Sequence, residues 1–258
     1  MDTLRGGGCK AVNALVVLPT YNESRNLREI VPAILQAAPV SVLIVDDNSP
    51  DGTGQIAEEL RADFAPRIDV LHRPGKAGLG RAYVAGFRYA LEREYDFVFE
   101  MDADFSHDPT DLPRFLEAIK QADLVVGSRY VPGGGTVNWP IWRRLISRGG
   151  SLYARAVLGA SVHDLTGGFK CFRREALAVL DLESVQSNGY SFQIEVTYRL
   201  AQLGFRITEI PIKFVERREG VSKMSWRIVA EAMLVVWRLR LGRRAAAVSG
   251  RPSTVHPE

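Results

Sequence analysis

Short apolar segments alternate with helix-like segments through the first half of the chain. Apolar, strand-like runs are predicted at Ala14–Leu18, Val40–Val45, Ile68–His72, Phe97–Met101 and Leu124–Gly127. The segments between them predict helices at Asn26–Ala38, Thr53–Phe64 and Arg81–Glu94. Because parallel strands need crossover connections, this alternation predicts an α/β fold with a mainly parallel sheet. A length of 258 residues suits one elaborated domain of this kind.

The second half of the sequence is less regular. It predicts an amphipathic helix at Ile141–Leu158, a turn at Asp164–Lys170, helices near Arg173–Leu180 and Phe192–Leu203, and a strand at Arg206–Phe214. Three glycines at 133–135, followed by Pro140, predict an irregular loop. We therefore expect one folded domain over residues 13–226 and an amphipathic helix at residues 227–244. Disordered ends are expected at residues 1–12 and 245–258.

Two aspartates follow the fourth predicted strand at an i, i+2 spacing. Asp102 and Asp104 should point the same way at the carboxyl edge of the sheet, where open α/β sheets bind ligands. Two carboxylates side by side suit Mg²⁺ or Mn²⁺ shared with a diphosphate. The alternative is a solvated acidic turn, since the Asp-x-Asp pattern is common.

Polar residues also follow the first two predicted strands. Pro19 cannot extend a strand's ladder, so the chain is expected to turn there and to expose Tyr21 and Glu23 at the sheet edge. Tyr21 offers a flat face for a base, and Glu23 can accept from a base amine or a ribose hydroxyl. Asp46 and Asp47 should point to opposite sides, so that one faces the ligand edge while the other caps the turn. An ordinary strand-to-helix turn is the alternative for this first loop.

Several common cofactor motifs are missing from the sequence. No G-x-G-x-x-G follows the first strand, which argues against NAD or FAD. No G-x-x-x-x-G-K-[ST] is present, which disfavours a P-loop ATPase. The two cysteines, Cys9 and Cys171, provide neither a disulfide framework nor a zinc site.

Basic residues are concentrated in two stretches. Residues 217–251 carry nine Lys or Arg and two Glu, while residues 129–163 carry five Arg and no acidic residue. Such stretches suit nucleic acid, anionic lipid or phosphate as a partner. Nucleic acid is disfavoured, because aromatic platforms for base stacking are missing apart from Trp139 and Trp142.

The segment Trp226–Leu241 is apolar at helical spacing, except for a narrow charged stripe and Arg240. Such a helix must be buried either in protein or in a membrane interface. The pattern fits both, and the trailing pair Arg243–Arg244 favours the membrane surface. The longest uncharged run, Ala232–Trp237, is too short to span a bilayer, so no transmembrane helix is predicted.

Eight motifs occur along the chain in a particular order: Pro19–Glu23, Val45–Thr53, Gly78–Gly80, Asp102–Asp104, Gly127–Tyr130, Ile146–Gly149, Asp164–Lys170 and Val221–Met224. This arrangement resembles the family-2, GT-A-fold glycosyltransferases, and most closely the dolichol-phosphate or polyprenol-phosphate mannose synthases. Asp-x-Asp is generic to many glycosyltransferases, whereas Asp164–Lys170 together with the two motifs that flank it is far more specific. The resemblance covers residues 13–226 and implies a GT-A fold, a Rossmann-like mixed sheet flanked by helices.

The resemblance also implies roles for individual residues. The guanosine of GDP-mannose would be held by Pro19, Tyr21, Glu23, Val45 and Asp47. Mg²⁺ or Mn²⁺ and the donor diphosphate would lie at Asp102, Ala103 and Asp104, with Arg129 and Lys223 on phosphates. The acceptor phosphate would meet Arg129, Arg143 and Ser147, and the catalytic set would be Asp104, Arg129 and Arg143. Ser106 stands where some relatives carry a further glutamine ligand, so a water is expected to take that place.

The implied reaction is inverting transfer of mannose from GDP-mannose to a polyprenyl or dolichyl phosphate. The acceptor resembles a phosphomonoester, with a second pKa of about 6, so it is already an ionised nucleophile and needs no general base. The four histidines are scattered along the sequence, and none is an obvious catalytic base, which agrees with a reaction that needs none. The resemblance further implies a peripheral enzyme on the cytoplasmic face of a membrane, held there by its own surface or by a separate anchoring subunit.

Two other functions fit the motifs. One is family-2 transfer of glucose or an aminosugar to a lipid phosphate or to a polysaccharide hydroxyl. A hydroxyl acceptor would need a base, for which Glu195 or Asp164 are the candidates. The other is a non-catalytic protein that binds a nucleotide-sugar or a lipid phosphate, and the intact Asp-x-Asp motif disfavours it.

Overall fold

The computed structural model describes residues 12–185, 187, 189–216 and 233–241 of the chain. Lys223, and the part of the predicted C-terminal helix that precedes residue 233, lie outside these described residues. The predicted tails at residues 1–12 and 245–258 also fall almost entirely outside them.

Nine strands are present in the described residues. They are β1 (Ala14–Thr20), β2 (Ser41–Asp46), β3 (Ile68–His72), β4 (Phe97–Glu100), β5 (Leu124–Ser128), β6 (Gly135–Val137), β7 (Lys170–Arg173), β8 (Ile207–Pro211) and β9 (Lys213–Val215). Seven form one sheet in the order β3-β2-β1-β4-β7-β5-β8. Only β7 runs antiparallel to its neighbours β4 and β5, so the sheet is mixed, as the sequence predicts.

The structure gives bounds for seven α-helices, six of which pack in the apolar layers on the two faces of this sheet. They are α1 (Ser24–Ala37), α2 (Thr53–Asp63), α3 (Leu79–Glu92), α4 (Leu112–Ala118), α5 (Ile141–Leu158), α6 (Arg174–Ala178) and α7 (Gly189–Gln202). Residues 233–241 are also helical, and Pro109–Asp111 form a 3₁₀ turn. Every helix predicted before residue 204 is present with ends within three residues of the prediction, whereas α4 was not predicted. The start of the helix predicted at residues 227–244 lies outside the described residues.

The core lies in two layers, one on each side of the sheet. Val16 and Ile44 contact the apolar face of α1 on one side, together with Phe115 of α4. Val17 and Leu43 pack on the other side against α3, α6 and α7. Because both faces are covered, successive residues of the central strands are apolar rather than alternating.

Close packing of α3 on β1 depends on Gly86. A Cβ atom at this position would lie 2.3 Å from Cγ1 of Val17, far inside van der Waals contact. Glycine therefore allows α3 to lie directly on the sheet. This contact brings Tyr83, one turn earlier on α3, beneath the carboxyl edge of β4.

The predicted turn at Pro19 is wrong. β1 continues through Pro19 to Thr20, with Pro19 opposite Val45 of β2. The carbonyl of Val17 faces β4 and accepts from Met101, so the nitrogen of Pro19, two residues on, faces the same side. β4 ends before that point, because its last ladder partner on β1 is Val17. The missing N–H of proline therefore breaks no ladder hydrogen bond.

The predicted strand at Arg206–Phe214 is two strands in the structure. β8 ends at Pro211, and Ile212 leaves the main sheet, so that β9 pairs in parallel with β6. Part of the loop predicted at the three glycines is thus the short strand β6. A Cβ on Gly134, just before β6, would lie 2.5 Å from the carbonyl oxygen of Ser128 at the end of β5, so only glycine fits at this close approach.

The described part of the C-terminal segment packs on the domain with one side and faces outward with the other. Val236 is buried with Ala154 and Leu158 of α5 and with Tyr198 of α7. The large apolar residues exposed on this helix are Leu234, Trp237 and Leu241. Among the described residues, no helix combines the length and hydrophobicity needed to cross a bilayer.

Candidate active site

A cavity of about 330 Å³ opens at the carboxyl edge of the sheet. The predicted site residues that line it are Pro19, Tyr21, Glu23, Asp47, Asp102, Ala103, Asp104, Arg129 and Arg143. Val45 and Ser147 are not among its lining residues, and Lys223 lies outside the described residues. The ends of β1, β2, β4 and β5 therefore converge on one site, with α5 contributing Arg143 from the far side.

One end of the cavity is flat and polar. The ring of Tyr21 lies beneath the ammonium group of Lys76, at 3.9 Å from nitrogen to ring centroid. Asp47 lines the cavity and accepts from Arg73 at 2.5 Å, while burial raises the pKa of its carboxyl despite this partner. Asp46 points away and accepts from the Ser49 hydroxyl at 2.6 Å, which caps the turn. The prediction that Asp46 and Asp47 divide these two roles is confirmed.

Asp102 and Asp104 both face the cavity, as their spacing predicts. One oxygen of Asp102 accepts from the Tyr83 hydroxyl at 3.2 Å. Burial, and then the charge of Asp102, raise the pKa of Tyr83 well above its usual value, so this phenol stays protonated and donates. Asp104 is buried, and its Oδ1 accepts from the backbone N–H of Ser106 at 3.0 Å and also from the Ser106 hydroxyl. Ser106 therefore orients Asp104.

His107 supports the same turn. The backbone N–H of Asp102 donates to Nδ1 of His107 at 3.1 Å, and the ring stacks on Phe169. A ring nitrogen that accepts cannot carry a proton, so this contact favours the neutral tautomer protonated at Nε2. The turn that carries Asp102 and Asp104 is thus held by the Tyr83 hydroxyl, the His107 ring and Ser106.

The two carboxylates fit a hard divalent cation that shares its ligands with a phosphate. Among the described residues there is no cluster of three or more His, Cys, Asp or Glu side chains that could enclose a metal. Zn²⁺ in a structural site takes four protein ligands, whereas Mg²⁺ binds through one or two carboxylates and keeps waters or substrate phosphates. Asp102 and Asp104 in one cavity match the second pattern.

Two of the three guanidinium nitrogens of Arg129 are committed to neighbouring side chains, and the residue lines the cavity. Its Nε and Nη2 donate to the two oxygens of Asp164, both at 2.7 Å, and Nη2 also donates to the Thr166 hydroxyl. Burial alone would raise the pKa of Asp164, but the paired Arg129 outweighs burial and holds it below the usual range. Arg129 thus ties the end of β5 to the Asp164–Lys170 turn through Nε and Nη2, and it also lines the cavity.

Arg143 retains a buried donor. Its Nη1 donates to Glu216 at 2.7 Å, and its guanidinium lies 4.0 Å from the ring of Trp139. Its Nε is buried and has no hydrogen-bond partner among the described residues. Ser147, one turn along α5, accepts from the hydroxyl of Tyr130 at 2.7 Å. Arg143 therefore lines the cavity and has one buried donor without a described partner, whereas Ser147 does not line the cavity.

A buried Glu–Lys pair beneath this site was not predicted. Glu100 of β4 lies opposite Lys170 of β7 in the ladder, and both side chains are fully buried. Burial raises the pKa of Glu100 to about 7, partly opposed by the charge of Lys170, and burial lowers the pKa of Lys170 to about 8. The Lys170 ammonium donates to the carbonyl of Gln193, which lines the cavity. The only sequence signal was a charged residue inside each of two apolar runs.

A family model described as glycosyl transferase family 2 matches residues 15–180, from β1 to the end of the β7–α6 segment. The chain belongs to glycosyl transferase family 2. It is 51% identical over 241 residues to the undecaprenyl-phosphate mannosyltransferase of Micrococcus luteus, covering 93% of this chain and 99% of the relative. It is 51% identical over 231 residues to the polyprenol monophosphomannose synthase of Mycolicibacterium smegmatis, covering 88% and 87%. The resemblance drawn from the motifs is confirmed.

Two solved structures of low sequence identity share the fold. Glucosyl-3-phosphoglycerate synthase of Mycobacterium tuberculosis, in complex with Mn²⁺, UDP-glucose and phosphoglyceric acid, superposes with a TM-score of 0.67 at 19% identity, covering 88% of this chain and 79% of the other. A mannosyltransferase of Pyrobaculum calidifontis, in complex with GDP-mannose and Mn²⁺, gives 0.56 at 16% identity, covering 93% and 76%. The predicted GT-A fold is therefore confirmed for this family-2 chain.

Proposed function

We propose that this family-2 enzyme transfers mannose from GDP-mannose to a polyprenyl phosphate, with inversion, giving polyprenyl-phosphate β-mannose and GDP. The two relatives at 51% identity are named as a mannosyltransferase acting on undecaprenyl phosphate and as a polyprenol monophosphomannose synthase. Their names support mannose as the sugar and a polyprenyl phosphate as the acceptor. The observation that carries the proposal is one cavity with two carboxylates on the donor side and the buried, partly unmatched Arg143 on the other.

Asp102 and Asp104 would hold Mg²⁺ or Mn²⁺ against the donor diphosphate. When bound, such an ion neutralises charge that develops on the leaving diphosphate. Tyr83 and Ser106 fix the two carboxylates in place, so little reorganisation is needed when the donor binds. The distant structures that contain Mn²⁺ support this choice of metal class.

The donor base would lie at the flat end of the cavity. Tyr21 offers a stacking face there, and Glu23 and Asp47 offer acceptors for amine or hydroxyl groups. Pro19 and Ala103 complete this wall, and Val45 supports it from β2. Lys223, outside the described residues, stays a candidate for the donor phosphates.

The acceptor phosphate would meet Arg143 at the opposite wall. A phosphate that is already ionised needs charge-assisted donors rather than a base. The two residues that a hydroxyl acceptor could use as a base are both committed elsewhere. Asp164 is bound by Arg129 with its pKa lowered, and Glu195 accepts from Arg199 at 2.5 Å and from the Ser187 hydroxyl. These contacts favour a phosphate over a hydroxyl acceptor.

The lipid acceptor places the enzyme at a membrane surface. We propose a peripheral protein on the cytoplasmic face, bound directly or through a separate anchoring subunit. Neither nucleic acid nor a resident organic cofactor is needed for this reaction.

Transfer of radiolabel from GDP-mannose into lipid tests the proposed function. Purified enzyme with Mg²⁺ or Mn²⁺ and a polyprenyl phosphate should yield a labelled lipid. Mild acid should release the labelled sugar from this lipid, as expected for a sugar phosphodiester. UDP-glucose as donor and a neutral polyprenol as acceptor are the matched controls. Equal transfer to the neutral polyprenol would replace the phosphate acceptor by a hydroxyl acceptor and contradict the proposal.

Arg143→Ala is expected to lower kcat/KM for the acceptor. Loss of one charge-assisted contact to phosphate costs about 1.5–3 kcal/mol, which is roughly 10- to 150-fold. Arg143→Lys should rescue only partly, since lysine cannot present a planar fork. Steady-state kinetics with a water-soluble, short-chain polyprenyl phosphate measures this effect, and Arg144→Ala on the exposed side of α5 is the control. Wild-type kinetics for Arg143→Ala would move the acceptor phosphate elsewhere.

A further inference from the structure

Two residues that line the cavity have a buried hydrogen-bond donor without a partner among the described residues. One donor is Nε of Arg143, which the proposed reaction assigns to the acceptor phosphate, and the other is Nε2 of Gln193. Gln193 lies one turn into α7 and is 3% exposed. A buried donor that stays unpaired is costly, so it calls for an explanation such as a ligand that pairs with it.

The orientation of the Gln193 amide is fixed by Lys170 of β7. The fully buried ammonium group of Lys170 donates to the backbone carbonyl of Gln193 at 3.0 Å and also to its side-chain oxygen Oε1. An ammonium group has only donors, so the amide atom that it contacts must be the oxygen rather than the nitrogen. Nε2, with its two N–H groups, is therefore the end of the amide that Lys170 leaves unused.

Glu100, the ladder partner of Lys170, does not pair with this nitrogen. Burial raises the pKa of Glu100 to about 7, and the charge of Lys170 and the nearby amide of Gln193 oppose this rise. The amide is thus close to the carboxyl group, yet neither oxygen of Glu100 has a hydrogen-bond partner among the described residues. Nε2 of Gln193 therefore remains available to a ligand in the cavity.

Gly168 leaves the space beside this nitrogen open. A Cβ atom on Gly168 would lie 3.7 Å from Nε2 of Gln193 and 3.6 Å from Cε1 of His107. His107 holds the turn that carries Asp102, whereas Gly168 belongs to the Asp164–Lys170 turn. The Gln193 amide therefore lies where these two turns meet at the cavity.

We infer that Gln193 binds a hydroxyl group of the transferred hexose through Nε2, with Lys170 as the residue that positions its amide. This inference deepens the proposed function and rests on it for the hexose. In a displacement at the anomeric carbon, the sugar must lie between the leaving diphosphate and the attacking phosphate. Asp102 and Arg143 mark those two groups on opposite walls of the cavity that Gln193 also lines. A hydroxyl oxygen suits a neutral amide N–H, whereas phosphates are best bound by charged donors.

Deoxy donors test this contact through a cycle of paired changes in enzyme and substrate. We would measure kcat/KM for GDP-mannose, and for analogues that each lack one sugar hydroxyl, with wild-type enzyme and Gln193→Leu. With wild type, loss of one particular hydroxyl should leave Nε2 unpaired and lower kcat/KM by roughly 5- to 150-fold. Gln193→Leu should lower kcat/KM for GDP-mannose, and the same deoxy donor should then cause little further loss. The matched control is Gln202→Leu, at the exposed end of the same helix.

A second variant and a binding measurement separate the sugar contact from a structural role. Gln193→Glu keeps an oxygen for Lys170 and removes the N–H donors, so it should give the same cycle as Gln193→Leu. Thermal unfolding follows the folding of both variants. In calorimetric titrations with Mn²⁺, both variants should bind GDP as wild type does and should lose affinity only for GDP-mannose.

Four results would decide against the inference or against the proposed function. Additive losses for every hydroxyl in the cycle would overturn the inference, and so would a loss confined to KM for the lipid phosphate, which would move the contact to the acceptor. Tolerance of every deoxy donor by wild type would overturn it however the variants fold. If wild type transferred nothing from GDP-mannose, but the variants lost affinity for it relative to GDP, the proposed function would fail while the sugar contact stood.

Discussion

Asp104→Asn is expected to remove nearly all mannose transfer while the protein stays folded. Asparagine keeps the oxygen that accepts from the backbone of Ser106, so the local turn should persist. It removes the charge that would bind the cation and oppose the diphosphate, a loss of several kcal/mol in the transition state and on the order of 10³-fold in rate. Asp102→Asn should have a similar effect, because both carboxylates line the same cavity. Radiolabel transfer and thermal unfolding measure activity and folding separately.

Metal binding gives an independent test of the same site. EDTA should silence the wild-type enzyme, and added Mg²⁺ or Mn²⁺ should restore it. Calorimetric titration with Mn²⁺ and GDP should show binding to wild type and to Asp108→Asn, whose side chain caps the 3₁₀ turn outside the cavity. Asp104→Asn should show little binding in the same titration. Full transfer in metal-free buffer, or unchanged Mn²⁺ binding by Asp104→Asn, would end the assignment of a metal to this site.

Much of the fold and of the donor side of the site follows from local sequence patterns. Side chains alternate between the two sides of a strand with a period of two residues. The opposite directions of Asp46 and Asp47, and the shared direction of Asp102 and Asp104, could therefore be predicted. The error at Pro19 arose because a proline is harmless where the neighbouring strand has already ended, and that depends on the length of β4. The break between β8 and β9 depends in the same way on a distant partner, β6.

Side-chain partners across the fold could not be predicted. Tyr83 reaches Asp102 from α3, and Arg129 reaches Asp164 from β5, across 19 and 35 residues of chain. Periodicity shows that α5 is amphipathic but does not show which side faces the domain. Since apolar faces normally turn inward, the pattern alone would place Leu145 in the core, whereas the structure exposes it. These features depend on tertiary packing, which a single sequence does not record.

Asp164→Asn is expected to cause the largest loss of stability among single substitutions at the site. The side chains of Arg129 and Asp164 are 3% and 0% exposed, so the substitution leaves a buried guanidinium without its counter-charge. Removing one partner of a buried ion pair costs about 3–5 kcal/mol. At about 2–4 °C per kcal/mol for a domain of this size, Tm should fall by roughly 10 °C. Glu59→Gln, which breaks the exposed ion pair with Arg28, is the control and should change Tm little.

The pH dependence of the free energy of unfolding should reveal the contribution of the Arg129–Asp164 ion pair. The native structure lowers the pKa of Asp164, so the ion pair stabilises the fold above the unfolded pKa, and this stability is lost as pH falls through the lower native pKa. Asp164→Asn should therefore lose less stability than wild type in acid.

Arg129→Met/Asp164→Leu, which removes both charges, should recover much of the lost Tm. Transfer should stay low in that double variant, because Arg129 also lines the cavity. Full recovery of transfer together with Tm would restrict Arg129 to holding β5 against the Asp164–Lys170 turn.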